Sequence, residues 1–195
     1  MDQDIIQQMK EYASINHVPI ITDEGIHYLE EYIRKHSIKR ILEIGTAIGY
    51  SAICMCGVST DVTVTTIERD NDRYLEAVKN VKDAHLEDRI ELIFGDALDV
   101  NMDEMFDLIF IDAAKAQNIH FFEKYEYNLN EKGTIITDNM HFHGLVFKDE
   151  NEIESKNLRQ LVRKVKEYKV FLEQNTRYET EFLNIGDGLA VSVKK

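Results

Sequence analysis

Five short runs rich in Ile and Val, RILEI (40–44), VTVTTIE (62–68), RIELIF (89–94), FDLIFID (106–112) and GTIITD (133–138), each stop at or beside an acidic residue or a glycine. Runs this short and this continuously apolar predict strands buried on both faces, because a strand with one wet face alternates instead. Helical spacing separates them. Residues 70–84 repeat Tyr74, Leu75, Val78 and Val81 behind acidic residues suited to a helix start. Strand and helix in alternation imply parallel pairing through right-handed crossovers, and so an α/β, Rossmann-like, doubly wound sheet with helices on both faces.

Two further helical patterns, over roughly residues 2–15 and 23–36 with Pro19 between them, precede the first strand. They make residues 1–38 an N-terminal helical cover. After the fifth strand, the loop MHFHGLVFKDENEIE leads to a long amphipathic helix, then YETEFLNI, GDG and LAVSVKK. Two alternating runs about Gly-Asp-Gly predict an antiparallel hairpin, which brings the mostly parallel sheet to seven strands. Apolar residues are 44% of the 195, charged residues 30%, and no Pro-, Gly- or Ser-rich stretch marks a linker, so one domain over 1–195 is expected. No run approaches the ~18 apolar residues of a membrane span and the charged N-terminus is unlike a secretory signal, which predicts a cytoplasmic protein. A formal net charge of -13 argues against non-specific coating of nucleic acid. Cys54 and Cys56, one residue apart in an apolar segment, read as buried thiols.

In such a sheet, ligands bind beyond the carboxyl ends of the strands, at the switch point beside the first one. Gly45 and Gly49 follow that strand. Their G-x-x-x-G spacing departs from the G-x-G-x-x-G of dinucleotide sites, which weakens the competing reading, a nicotinamide-dependent dehydrogenase. An adenosine-bearing ligand without phosphates fits better, with close backbone approach at Gly45, the acidic Glu43 before it, Glu68 for the ribose hydroxyls and Gly95-Asp96-Ala97 for an adenine edge. Tight-turn geometry and solvated caps would account for the same residues singly. Asp112 ends the fourth strand and Asp138-Asn139 the fifth. Three oxygen donors at neighbouring strand tips suit a hard cation, Mg²⁺ or Mn²⁺, although both acids would also serve as caps. His141 and His143 suggest zinc or iron, but alternate residues of an extended segment point opposite ways, and they read better as lining a substrate mouth or facing solvent. Lys115, three residues after Asp112, can face the same cavity, where desolvation and a nearby cation favour the neutral amine that accepts a proton.

With E-I-G-T-A-I-G-Y-S, the acid at 68, Asp96-Ala97, IDAAK and TDN in this order, the chain resembles the class I S-adenosylmethionine-dependent, metal-dependent O-methyltransferases that include catechol and caffeoyl-CoA O-methyltransferases. The resemblance runs from about VPIITDEG to GDGLAVSVKK. It implies S-adenosylmethionine as cofactor, with Gly45 and Ser51 near its amino acid end, Glu68 at the ribose, Asp96 and Ala97 at the adenine, and Ile21 in a lid. Asp112 then stands between cofactor and metal, Asp138 and Asn139 complete the metal set, and Lys115 deprotonates the substrate hydroxyl. TDNMHFHGLV, the basic helix after it and FLNIGDGLAVSVKK resemble most the bacterial members that methylate 5-hydroxyuridine at the tRNA wobble position, relative to which a shorter N-terminus is expected. That resemblance implies tRNA as partner, with a small catechol-like acceptor as the alternative, and a homodimer. Lys156, Arg159, Arg163 and Lys166 on one face of the helix near 156–172 would meet an RNA backbone, or would simply be a solvated face. A non-catalytic RNA-binding module would have no use for Asp112, Asp138, Asn139 and Lys115 together.

Overall fold

The chain is described here by a computed structural model covering residues 3–195, so the predicted helix start at residue 2 lies outside the described residues. Helices α1 (Gln3–Ile15) and α2 (Asp23–His36) lead into strand β1 (Arg40–Ile44). Then follow α3 (Tyr50–Cys56), β2 (Thr63–Glu68), α4 (Asn71–Asp83), β3 (Ile90–Phe94), β4 (Phe106–Ile111), α5 (Asn118–Tyr125), β5 (Leu129–Thr137), α6 (Lys156–Gln174), β6 (Tyr178–Leu183) and β7 (Leu189–Lys194). The sheet order is β3-β2-β1-β4-β5-β7-β6. Strands β1 to β5 pair in parallel, whereas β7 lies antiparallel between β5 and β6. The hairpin thus inserts its second strand into the sheet and leaves its first at the edge.

Local chemistry sets the helix ends. Thr22 caps α2 by accepting from the Gly25 amide at 3.2 Å, Asp23 and Glu24 fill its first turn, and Arg34, Lys35 and His36 fill its last. Asp70 caps α4 through the amides of Asp72 and Arg73. The buried face of α4 is Ala77, Asn80 and Val81, while Leu75 and Val78 are exposed. The apolar stripe is rotated from the predicted one because α4 supports the turn after β1: Asn80 Nδ2 donates to the Ile48 carbonyl at 2.9 Å, a contact outside its own periodicity.

Residues alternate between two core layers along each strand, as the pleat requires. In β4, Leu108 and Phe110 join the layer under α1 to α4, whereas Ile109 and Ile111 join that of α5 and α6. Phe122, fully buried, meets Phe171 and Tyr178 edge-on at 5.4 and 4.9 Å between centroids. Two departures from the predicted rhythm occur. The β3–β4 connection, residues 95–105, contains no α-helix and is held instead by Tyr125 Oη donating to the carbonyls of Ala97 (2.6 Å) and Val100 (3.0 Å) and by Asn128 Nδ2 donating to those of Met102 and Glu104. Strand β5 starts four residues before Gly133, through an irregular stretch in which Lys132 takes φ 61°. No described helix is long and apolar enough to cross a membrane.

Replacing Phe122 by Ala removes the aromatic hub of the second layer. The variant is expected to lose about 3 to 5 kcal/mol of stability, read from the urea midpoint at unchanged slope.

Candidate active site

Backbone hydrogen bonds continue past the strands and fix their tips relative to one another. The Gly45 amide donates to Ile67 (3.1 Å), Gly95 to Glu68 (2.9 Å), Asp112 to Ile44 (2.9 Å) and Asp138 to Ile111 (3.1 Å). Around these tips opens a cleft of about 450 Å³, within the ~300 to 1,000 Å³ range of small-molecule sites. It lies beside the β1/β4 boundary, where the winding reverses.

Gly45 has φ 101°, and a Cβ there would lie 2.3 Å from the Asp112 carbonyl oxygen. The bare backbone is therefore required first by the neighbouring strand. Gly49, at φ 84°, precedes α3 and rests against Ala77, so its role is the left-handed turn itself. Between them, the Ala47 amide donates to Glu68 Oε2 at 2.8 Å, tying the glycine loop to β2.

One end of the cleft gathers Ile21, Gly45, Ser51, Glu68, Asp96 and Ala97. The Glu68 carboxylate also accepts from the amides of Arg69 and Asp70 at 2.9 and 2.8 Å, which leaves part of its lone-pair capacity for a hydroxyl. Asp96 accepts from the Leu98 amide and pairs with Arg69 at 3.3 Å, and these contacts hold its carboxyl below the usual range. Glu43 departs from the expected cofactor contact. It is fully buried and absent from the cleft wall, with Ser51 Oγ and Thr66 Oγ1 donating to its two oxygens and Thr66 meeting Thr46 at 2.7 Å. Strand parity explains this, because Glu43 shares a face with Ile41 and so points beneath α3. Burial, aided by the charges of Asp112 and Glu68, pushes its carboxyl up to about 8 against the two hydroxyl donors.

At the other end stand Asp112, Lys115, Asp138 and Asn139. Lys115 begins a short 3₁₀ turn rather than an α-helix, and its Nζ sits 3.1 Å from Asp112 Oδ1. Asn139, at φ 64°, donates through Nδ2 to Asp112 Oδ1 (3.2 Å) and Asp138 Oδ2 (2.9 Å). Asp138 is 4% exposed, and burial together with the charge of Asp112 pushes it up to about 7, against the Asn139 amide and Lys115. As placed, Asn139 turns its amide nitrogen to both carboxylates; with the amide rotated to present Oδ1, the three side chains would offer oxygen donors of the kind a hard divalent cation takes. His143 lines the cleft, whereas His141 packs on Phe147 and Gly188. Asp187 also lines it, a residue that the sequence offered only as part of the Gly-Asp-Gly turn.

The O-methyltransferase family profile matches residues 2–195. A catechol O-methyltransferase of Niastella koreensis is 31% identical over 170 residues, 80% of this chain and 74% of that protein. A caffeoyl-CoA O-methyltransferase of Populus kitakamiensis is 29% identical over 93% of this chain and 80% of its own length. A solved Staphylococcus aureus structure, whose caffeoyl-CoA O-methyltransferase name is itself provisional, is 44% identical with a TM-score of 0.93, covering 97% of this chain and 92% of that one. The Bacillus cereus O-methyltransferase in complex with S-adenosylhomocysteine is 26% identical with a TM-score of 0.85, over 100% and 92%.

Glu43 sets a pH dependence of folding. The unfolded chain releases its proton near 4.5 and the folded chain keeps it to about 8, so between these values the folded state binds the extra proton and stability falls as pH rises. Glu43→Gln removes that slope. Urea midpoints should shift in favour of the variant, relative to the wild type, as pH rises from about 5 to 8; a difference that stays constant over that range would mean that Glu43 is ionised in the fold.

Proposed function

The chain belongs to the O-methyltransferase family, and from that premise we propose that it transfers the methyl group of S-adenosylmethionine to one hydroxyl of a small catechol-like acceptor, with Mg²⁺ or Mn²⁺ held by Asp112, Asp138 and Asn139. The convergence of those three residues with Lys115, in the same cleft as Glu68, is the observation that carries this reading. The family's catechol and caffeoyl-CoA relatives support the acceptor class.

When bound, the cation favours the ionised hydroxyl and orients vicinal oxygens, while the sulfonium donor supplies an activated methyl. The remaining work belongs to the chain. Glu68 would accept from the ribose, Asp96 and Ala97 would border the adenine, and Gly45 and Ser51 would hold the amino acid end. Ile21 covers the donor and excludes water. Glu43 acts from beneath by fixing Ser51. With Asp112 engaged by the cation and the Lys115 amine neutral, Nζ would take the proton that the acceptor oxygen releases as that oxygen bonds to the methyl carbon and the carbon–sulfur bond breaks. Holding oxygen and methyl in line contributes up to ~7 to 11 kcal/mol in favourable cases.

A hydroxylated tRNA acceptor, the first expectation from the sequence, has less support. Arg159 Nη1 donates to the carbonyls of Ile153 and Glu154, and Arg163 pairs through both nitrogens with Glu150, so two of the four basic residues staple the segment before α6 to the helix. Parallel assays with S-adenosylmethionine, Mg²⁺ or Mn²⁺, and either catechol or hydroxylated tRNA decide the acceptor; methylation of tRNA alone would overturn the small-acceptor reading.

Asp138→Ala and chelation with EDTA are each expected to abolish methylation of catechol while S-adenosylhomocysteine affinity, followed by calorimetry, stays within a few fold. Lys115→Met should lower kcat by about 10² to 10⁴ without changing that affinity. Full activity of Asp138→Ala in EDTA would rule out the cation.

A further inference from the structure

Beyond the metal-binding tip of β5, residues 139–144 fold into a loop whose backbone is unusual for its sequence. Asn139, Phe142, His143 and Gly144 all take positive φ, at 64°, 45°, 54° and 77°. Bulky residues rarely hold that conformation unless their surroundings impose it. The imposing element is the Gly186-Asp187-Gly188 turn between β6 and β7. Asp187 accepts the His143 amide at both carboxylate oxygens (2.7 and 2.9 Å), and its Oδ2 lies 3.3 Å from His143 Nδ1. The Asp187 carbonyl accepts the His141 amide at 2.8 Å, and the Gly188 carbonyl accepts that of Met140 at 2.9 Å.

The turn has no room for a side chain at either glycine. A Cβ on Gly188 would lie 2.6 Å from the His141 ring, and one on Gly186 would lie 2.3 Å from Thr22 Oγ1, beside the lid residue Ile21. Asp187 is nearly covered, with 13% of its side chain exposed, whereas the His143 imidazole is 77% exposed and borders the same cleft as Lys115 and Asn139. A covered carboxylate thus spends its acceptors on presenting one polar ring at the mouth of the site.

Resting on the small-acceptor reading above, we propose that Asp187 is a positioning residue for the loop 139–144 and that His143, which it presents, is a specificity-determining contact for the part of the aromatic acceptor that reaches the mouth of the cleft. The ring offers a hydrogen bond and a flat face to a substituted phenol, and Asp187 serves it by holding the loop. The loop carries Asn139 at its other end, so release of the turn also loosens a metal-binding residue.

The test uses the full chain with two readouts. Steady-state kinetics with catechol and with a catechol bearing a polar ring substituent are compared for wild type, His143→Ala, Asp187→Ala and the double variant. His143→Ala should raise KM for the substituted acceptor about 5- to 20-fold with kcat and S-adenosylhomocysteine affinity nearly unchanged. The double variant should be no worse in KM than Asp187→Ala alone. Unchanged KM for both acceptors in His143→Ala overturns the specificity role. Independently of turnover, amide hydrogen exchange should rise at least 10-fold over residues 140–146 in Asp187→Asn while β4 stays protected; equal protection in that loop overturns the positioning role. Wild-type protein that methylates neither catechol removes the acceptor reading and the specificity role with it, and the exchange measurement still decides for Asp187.

Discussion

Between the tips of β1 and β4 the backbone of Gly45 lies so close to the Asp112 carbonyl that a single added carbon would stand 2.3 Å from the oxygen. That approach sets the geometry of the cleft. It brings the loop of residues 45–51 against the residue that faces both halves of the site, and the ladder bonds from Asp112 to Ile44 and from Asp138 to Ile111 carry the alignment across to β5. Glu68, on the other flank, is tied to the same loop by the Ala47 amide. In the proposed reaction, a donor and an acceptor on opposite sides of this seam would inherit a fixed separation, which is what an in-line transfer requires.

The acids of the site are held in unequal environments. Glu68 and Asp96 rest on backbone amides, Glu43 on two hydroxyls, and Asp138 on one amide and the Asn139 side chain. Glu43 and Asp138 are both pushed up by burial and by neighbouring carboxylates. Their consequences differ. Glu43 is sealed beneath the glycine loop, where its neutral form is at rest among hydroxyls, whereas Asp138 borders the cleft, where a cation can relieve the same repulsion.

Much of the site was legible because strand ends are legible. Apolar runs that stop at an acid locate Glu68, Asp112 and Asp138, and the spacing of Lys115 from Asp112 survives even though the turn between them is 3₁₀ rather than α. Glu43, expected beside the cofactor, lies buried outside the cleft wall, where its parity with Ile41 directs it to the layer beneath α3. The basic stripe on α6 was legible as charge, but not its occupation, since the partners of Arg159 and Arg163 lie in a loop without periodicity. Asp187 could be read only as turn chemistry, because the residue it serves, His143, is 44 positions away.

The sequence by itself determined the alternating α/β order, the parallel core, the N-terminal helical cover and the acids at the strand tips, since hydrophobic period and local turn chemistry are written in neighbouring residues. Tertiary structure alone decided that β7 enters between β5 and β6, that the β3–β4 connection is held by Tyr125 and Asn128 in place of a helix, and that the Gly-Asp-Gly turn reaches the loop beyond β5. Those are contacts between residues distant in the chain, and which of them form depends on how the packed layers bring surfaces together, a choice that no short window of sequence encodes.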